Sequence, residues 1–362
     1  MVSAKSLILR LTLCSLYTLF AHNIYADEQT DLKETPPAWY IVGGVRNYNY
    51  ALIEALTQNG SSCTVFTPEE QRKEAQAFYK DNPLVSLVFG CSSKERAKLI
   101  SHAHGAKNLF FDVEFENFSH WKTSVETSLQ NCIDAAEQHS LTFFYPGKIF
   151  PHGVPKEAIT TQTPYAPISD QGRIMQNMEQ ALARAATQKK FRVHIIRTGR
   201  IYGENVRDYI TKTIFTDTMT TGTFTWLFRT DIPYQFCYAP DVARLVLFVS
   251  MREHIKWFTV THLAGHTYQS VESFGRKICE CARTTYKPYV VGEWQFSLVC
   301  VASPNARRGK DVAYIFKKKV FLQDDETYTT YPEFSLTDPA TSFQQTLEWH
   351  KNNQQILSWS SI

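Results

Sequence analysis

Few side chains in this 362-residue chain fall at spacings that suggest chemistry. Two phenols, Tyr145 at the end of the apolar run "LTFFY" and Tyr165 in a Pro-rich loop, are suited to passing a proton. Tyr165 precedes the helical run "DQGRIMQNMEQALARAAT", which carries Arg173 and Glu179, and Arg200 follows the next apolar run. The pair Gly43–Gly44 comes directly after "WYIV" and leads into Arg46 and Asn49. Glycine lets a backbone approach a phosphate closely, and a guanidinium fork suits phosphate oxygens. Plainer roles compete at each position: loop packing for Tyr165, an exposed helix position for Glu179, an ordinary strand-to-helix turn for Gly43 and Gly44, and an N-cap for Asp241 after Pro240. His262 and His266 lack an acidic or Cys partner at ligand spacing, and the cysteines show no C-x-x-C pattern, so neither a metal site nor a disulfide scaffold is expected.

The elements that must position these residues alternate from Trp39 onward. Short β-rich runs ("WYIV", "CTVF", "VSLVF", "NLFF", "LTFFY", "RVHIIR") are separated by helical patterns, and Gly60 closes the first of the helices. This order predicts an α/β fold, a doubly wound parallel sheet of about six strands, with ligands bound beyond the carboxyl ends of the strands. After Arg200 the pattern loosens into a smaller mixed region. The chain thus divides into a Rossmann-type domain over 39–200, completed by segments near 234–265, and a smaller region with a closing helix over 201–362; the resemblance given next implies that the first binds a nucleotide and the second a substrate. That last helix, "SFQQTLEWHKNNQ", is expected to be capped by Thr341 or Ser342.

From about 39 to 354 the chain resembles the extended short-chain dehydrogenase/reductases, the NAD-dependent epimerase/dehydratase group. The resemblance rests on "IVGGVRNYNYALIEAL", "RTGRIYGENV", "FCYAPDVARLV" and "ATSFQQTLEWHKNN", in that order. "YPGKIF" and "QGRIMQNMEQAL" are similar to an atypical subgroup of it, matching at Pro146, Gly147, Gly172, Arg173, Ile174, Met178 and Glu179. The resemblance implies an NAD or NADP site at Gly43, Gly44, Arg46 and Asn49, yet Arg46 and Asn49 stand where the family has glycines, so weak or absent binding is expected. No carboxylate stands at Thr67 for a ribose hydroxyl, though Glu69 follows. The family's Tyr-x-x-x-Lys falls on Gln171 and Met175, and its Ser on Gly147. Classical hydride transfer is therefore expected to be impaired or absent, and losing a general acid/base costs about 10²- to 10⁴-fold in rate. The alternative is an active oxidoreductase or epimerase with a rearranged proton relay, for which Tyr145, Tyr165 and Arg173 are the candidates. A small molecule or nucleotide sugar is the implied ligand, and a homodimer is compatible with the resemblance.

Charge and the N-terminus bound the setting. A net charge of +3 gives no field of the kind nucleic acids need, and the basic stretches "NARRGKD" and "FKKKV" read as solvated loops or edges. The start, with Lys5 and Arg10, an apolar run Leu11–Ala21 and Ala26 before Asp27, fits a signal peptide over 1–26 followed by a linker over 27–38. The run is shorter than the ~20 residues of a membrane span. This predicts an exported chain, periplasmic or secreted, without a stable span after processing; the alternative is an uncleaved extension on a cytoplasmic protein. Export favours the silent reading, because free NAD(P)H is scarce outside the cytoplasm.

Overall fold

The computed structural model describes residues 38–113, 121–207, 209–252, 256–302 and 304–359. The expected signal peptide and, apart from Ala38, the linker lie outside the described residues.

Among the described residues there are twelve strands: β1 (Trp39–Val42), β2 (Cys63–Thr67), β3 (Val85–Phe89), β4 (Asn108–Phe111), β5 (Thr142–Gly147), β6 (Val193–Thr198), β7 (Arg200–Tyr202), β8 (Thr223–Leu227), β9 (Tyr234–Tyr238), β10 (Phe258–Leu263), β11 (His266–Tyr268) and β12 (Lys287–Val291). Seven form one parallel sheet in the order β10-β6-β5-β4-β1-β2-β3. Of the segments near 234–265, only β10 joins this sheet; β9 pairs with β7 and β11 in a smaller mixed sheet, and β8 with β12 in a two-stranded one.

Both faces of the main sheet are covered, so its central strands carry unbroken apolar runs rather than alternation with polar residues. Successive side chains of β1 go to opposite cores. Trp39 and Ile41 pack with helices Asn47–Gln58 and Ala239–Ser250, and Tyr40 and Val42 with helices Trp121–His139 and Asp170–Thr187. A third, aromatic core fills the smaller region, where Phe236 stacks on Phe274 at 3.6 Å and Trp226 meets Phe316 edge-on at 5.2 Å.

Two expected caps move. The closing helix runs Pro339–Asn352, and its N-cap is Asp338, whose carboxylate accepts from the amides of Ala340 and Thr341. Pro339 suits the first helical position because it has no N–H to satisfy, which shifts the start ahead of Thr341 and Ser342. Asp241 is not an N-cap either. It sits in the first turn of Ala239–Ser250, fully buried, and accepts from Thr337 N at 3.0 Å and Thr337 Oγ1 at 2.6 Å. It therefore ties the approach to the closing helix onto the sheet layer.

Candidate functional site

Strand order reverses between β1 and β4, and the chain leaves these neighbours toward opposite faces, which opens a crevice at their carboxyl ends. Gly43 and Gly44 form its floor with φ of +132° and +96°, values that side-chain-bearing residues rarely adopt. What approaches them is the chain itself. A Cβ on Gly43 would lie 1.8 Å from the Asp112 carbonyl oxygen, and one on Gly44 would lie 2.2 Å from Gln71 Oε1.

The donors of the turn are engaged from within. Gly43 and Gly44 N–H point to the Phe66 carbonyl, Val45 N–H donates to Gln71 Oε1 at 2.9 Å, and Asn47 N–H donates to the Asn205 carbonyl at 3.0 Å. Arg46 pairs with Glu74 at 2.9 Å, and the other Glu74 oxygen receives Arg207 at 2.8 Å and Asn205 Nδ2 at 3.1 Å. Asn49 is buried and donates to the Asp112 carbonyl at 2.9 Å. Glu69 lies on the surface, paired with Arg72.

A second cluster lies where β5 meets β6. Register places Gly147 beside Arg197. Arg197 is buried and pairs with fully buried Glu179 at 2.5 Å. Glu179 is thus no exposed helix residue; it shares a face with Met175, Leu182 and Ala186, and the guanidinium supplies the partner that a buried carboxylate requires. Tyr165 folds back onto this pair, as its loop position allowed. Its hydroxyl donates to Glu179 Oε2 at 2.7 Å and accepts from Arg197 Nη2 at 3.2 Å. Burial first, then the Glu179 charge, pushes the phenol well above its ordinary range.

Two histidines close the cluster. His262 donates from Nδ1 to the Gln323 carbonyl at 3.0 Å, which leaves Nε2 to accept from Arg197 Nη1 at 3.3 Å. His152 donates from Nδ1 to the Pro164 carbonyl at 3.2 Å, and its ring packs on Tyr165 with centroids 5.2 Å apart. Burial, and next the Arg197 charge, lowers both to about 4, so both are neutral near pH 7.

Space at Gly147 is taken. A Cβ there would come within 2.8 Å of Arg197 Cγ, 2.9 Å of Ile195 Cγ2 and 3.2 Å of Glu179 Oε1. Tyr145 is buried within the core shared with Trp121–His139, its phenol raised well above the usual range, first by burial. Arg173 is not part of the cluster: its exposed guanidinium faces Asp170 at 3.6 Å. Arg200 lies over the rings of Phe316 and Trp226 at 5.0 and 5.6 Å. Gln171 is buried at the head of its helix, where its amide and that of Asp170 donate to the Asp311 carboxylate at 2.8 and 3.1 Å. His266 Nε2 meets the Thr337 carbonyl at 2.8 Å. Among the described residues no group of three His, Cys, Asp or Glu side chains could hold a metal ion.

Sequence reasoning missed Arg197 and His152. A signal existed for Arg197: an arginine closing the apolar run "RVHIIR" on a central strand must find a buried carboxylate. His152 gave none, because its partners come from a separate loop.

No protein-family model and no curated protein sequence matches the chain. Solved structures do. The chain is similar to dTDP-glucose 4,6-dehydratase DesIV from Streptomyces venezuelae, solved with NAD and TYD bound, at 11% identity and TM-score 0.70, over 88% of this chain and 98% of that one. WbmH of Bordetella bronchiseptica, in complex with NAD+, gives 13% identity and TM-score 0.66 over 87% and 98%. UDP-N-acetylglucosamine 4-epimerase from Bacillus cereus gives 13% and 0.66 over 87% and 96%. The chain therefore has the Rossmann-type fold of the NAD-dependent epimerases and dehydratases.

Proposed function

We propose that this chain is a ligand-binding protein built on the epimerase/dehydratase fold, with classical hydride-transfer catalysis absent and NAD(P) binding weak or absent. The observation that carries the reading is the buried Glu179–Arg197 pair, which fills the space over Gly147 and holds the Tyr165 hydroxyl. A proton relay works best when its pKa lies near the working pH. Burial and Glu179 move Tyr165 away from that condition, and neither Gln171 nor Met175 supplies an acid or base. The turn at Gly43 does not fit a pyrophosphate as it stands, because the amides of Val45 and Asn47 are satisfied by Gln71 and Asn205, and Arg46 is held by Glu74.

The ligand class that the neighbours suggest is a nucleotide sugar, since one is solved with UDP-glucuronic acid and NAD. The apolar N-terminal run supports export of the chain. A second reading, an enzyme whose relay is Tyr165, draws on one observation: Tyr165 is partly exposed beside two charged groups.

Titration of the purified chain with NADH, NADPH, UDP- and dTDP-sugars, alongside assays for epimerisation, reduction and dehydration, tests the proposal. Sugar-nucleotide binding without turnover is expected. Robust turnover that collapses in Tyr165→Phe would overturn it.

A further inference from the structure

Glu204 lies in the loop after β7, between the end of β9 at Tyr238 and the closing helix Pro339–Asn352. The Tyr238 hydroxyl stands 2.6 Å from Glu204 Oε1 and 2.8 Å from Gln345 Oε1 of that helix. A phenol has one proton and cannot donate to both oxygens. The other Glu204 oxygen, Oε2, is buried without a hydrogen-bond partner. Among the described residues Glu204 has no ion-pair partner, and Arg207, three residues on, is taken by Glu74. A buried carboxylate without a cation is costly. A proton on Glu204 removes the conflict, because the carboxyl then donates to the Tyr238 oxygen and Tyr238 donates to Gln345. Turning the Gln345 amide about would give Tyr238 a donor as neighbour, but it brings no cation to the carboxyl and no partner to Oε2.

The groups around Glu204 favour the same state. Burial raises its carboxyl above the ordinary range; hydrogen bonds from Tyr238 and from its own amide oppose this, and the charges of Glu54, on helix Asn47–Gln58, and Asp241, on helix Ala239–Ser250, add to the rise. Glu54 accepts from the Tyr79 hydroxyl at 2.8 Å, and Asp241 keeps a cation of its own, Arg244, at 2.6 Å. Tyr50, on the same helix as Glu54, accepts from the Trp349 indole N–H at 3.0 Å. The closing helix thus rests on Glu204 through Gln345 and Tyr238, and on Tyr50 through Trp349. The loop that carries Glu204 also carries Asn205 and Arg207, which hold the turn at Gly43 through Asn47 and Glu74.

We propose that Glu204 is a proton-binding site, a neutral carboxyl in the folded chain, and that its ionisation as pH rises loosens the seat of the closing helix and the loop that holds the Gly43 turn. The folded chain keeps a proton that the unfolded carboxyl gives up near pH ~4.3. This stabilisation is complete below that value and is lost as pH rises through the folded pKa, opposite in sign to the effect of buried His152 and His262.

The test is Glu204→Gln in the full chain, which puts a group of the same shape there that stays neutral at every pH. Hydrogen exchange of parent and variant, compared at the same pH, cancels the intrinsic rates and the contribution of the histidines. Across Pro339–Asn352 the two should exchange alike at about pH 5, and the parent should exchange faster as pH rises, by up to about tenfold per unit, the slope of one proton. Carboxyl NMR of the parent should show one glutamate, absent from the variant, that titrates above the ~4.3 of a free side chain. The proposal is overturned by a Glu204 midpoint at or below that value, by an exchange ratio that does not change with pH, or by a variant that fails to fold or melts below the parent at about pH 8, since a neutral carboxyl tolerates an amide in its place and a needed carboxylate does not.

Discussion

Placing a serine at 147 supplies the hydroxyl that the epimerase resemblance expects, and the structure predicts damage instead of gain. The new Cβ would stand 2.8 Å from Arg197 Cγ and 2.9 Å from Ile195 Cγ2. Ile195 is β-branched and buried on a central strand, so it yields little. Relief must come from the Arg197 stem, and turning that stem moves the guanidinium off Glu179, 2.5 Å away. Simple overpacking costs about 1–3 kcal/mol, and parting a buried ion pair about 3–5 kcal/mol. We expect about 3 kcal/mol for Gly147→Ser, and nearly the same for Gly147→Ala, because the Cβ and not the hydroxyl does the damage. In thermal melts this corresponds to roughly 4 °C for a chain of this length.

Urea unfolding followed by circular dichroism measures the cost. A second background isolates its cause. In Glu179→Leu with Arg197→Met, the stem is free to move without losing a charge partner, so Gly147→Ser should then cost only about 1 kcal/mol. Equal costs in the two backgrounds, or a cost under about 0.5 kcal/mol in the parent, would refute the claim that the ion pair fills this corner.

Other outcomes follow from the same contacts. Gln71→Ala releases the Val45 amide and opens the space over Gly44, so NADH, followed by fluorescence, should bind this variant more tightly than the parent; unchanged or weaker binding would mean that Gln71 is not the obstruction. Arg46→Gly removes one of two cations from buried Glu74 and should lower stability by about 1–3 kcal/mol in urea melts, a figure tied to a charge-assisted hydrogen bond. Acid should destabilise the fold: burial holds His152, His194 and His262 near 4, below their unfolded value of about 6.5, so the unfolded chain binds more protons between these values and stability falls as pH drops from about 6.5 to 4. His194→Gln should flatten that slope in melts taken across the window, and an unaltered slope would count against the assignment.

The fold could be read in the sequence because it depends on features that repeat. The central strands are largely apolar, with His194 and Arg197 of β6 among the exceptions, the helices between them are amphipathic, and burial on both sheet faces demands that pattern. The candidate site depends on single side chains meeting across long separations, and there local reasoning fails in identifiable ways. For Glu179 the sequence leaves a place in the cleft and an exposed helix position equally open; its burial follows only once Arg197, from a later strand, is placed beside it. Asp241 looked like a cap because Pro240 precedes it, yet Thr337, nearly a hundred residues on by sequence, claims its carboxylate.

The turn at Gly43 shows the same limit from the other side. Two glycines with positive φ are what a phosphate site would need, and they are equally what the Asp112 carbonyl and the Gln71 amide need. Sequence cannot distinguish a backbone made accessible to a ligand from one made accessible to its own neighbours. Gln71, Glu74, Asn205 and Arg207 come from segments far apart in the chain, and together they engage the Val45 and Asn47 amides and the Arg46 cation. Glu179, Arg197 and His262 do the same at Gly147. Arg46 and Asn49 thus each have an internal partner, yet Asn49 Oδ1 and, beside Tyr165, His152 Nε2 stay buried without a hydrogen bond. A buried polar atom left so is where a bound water or ligand would find its partner.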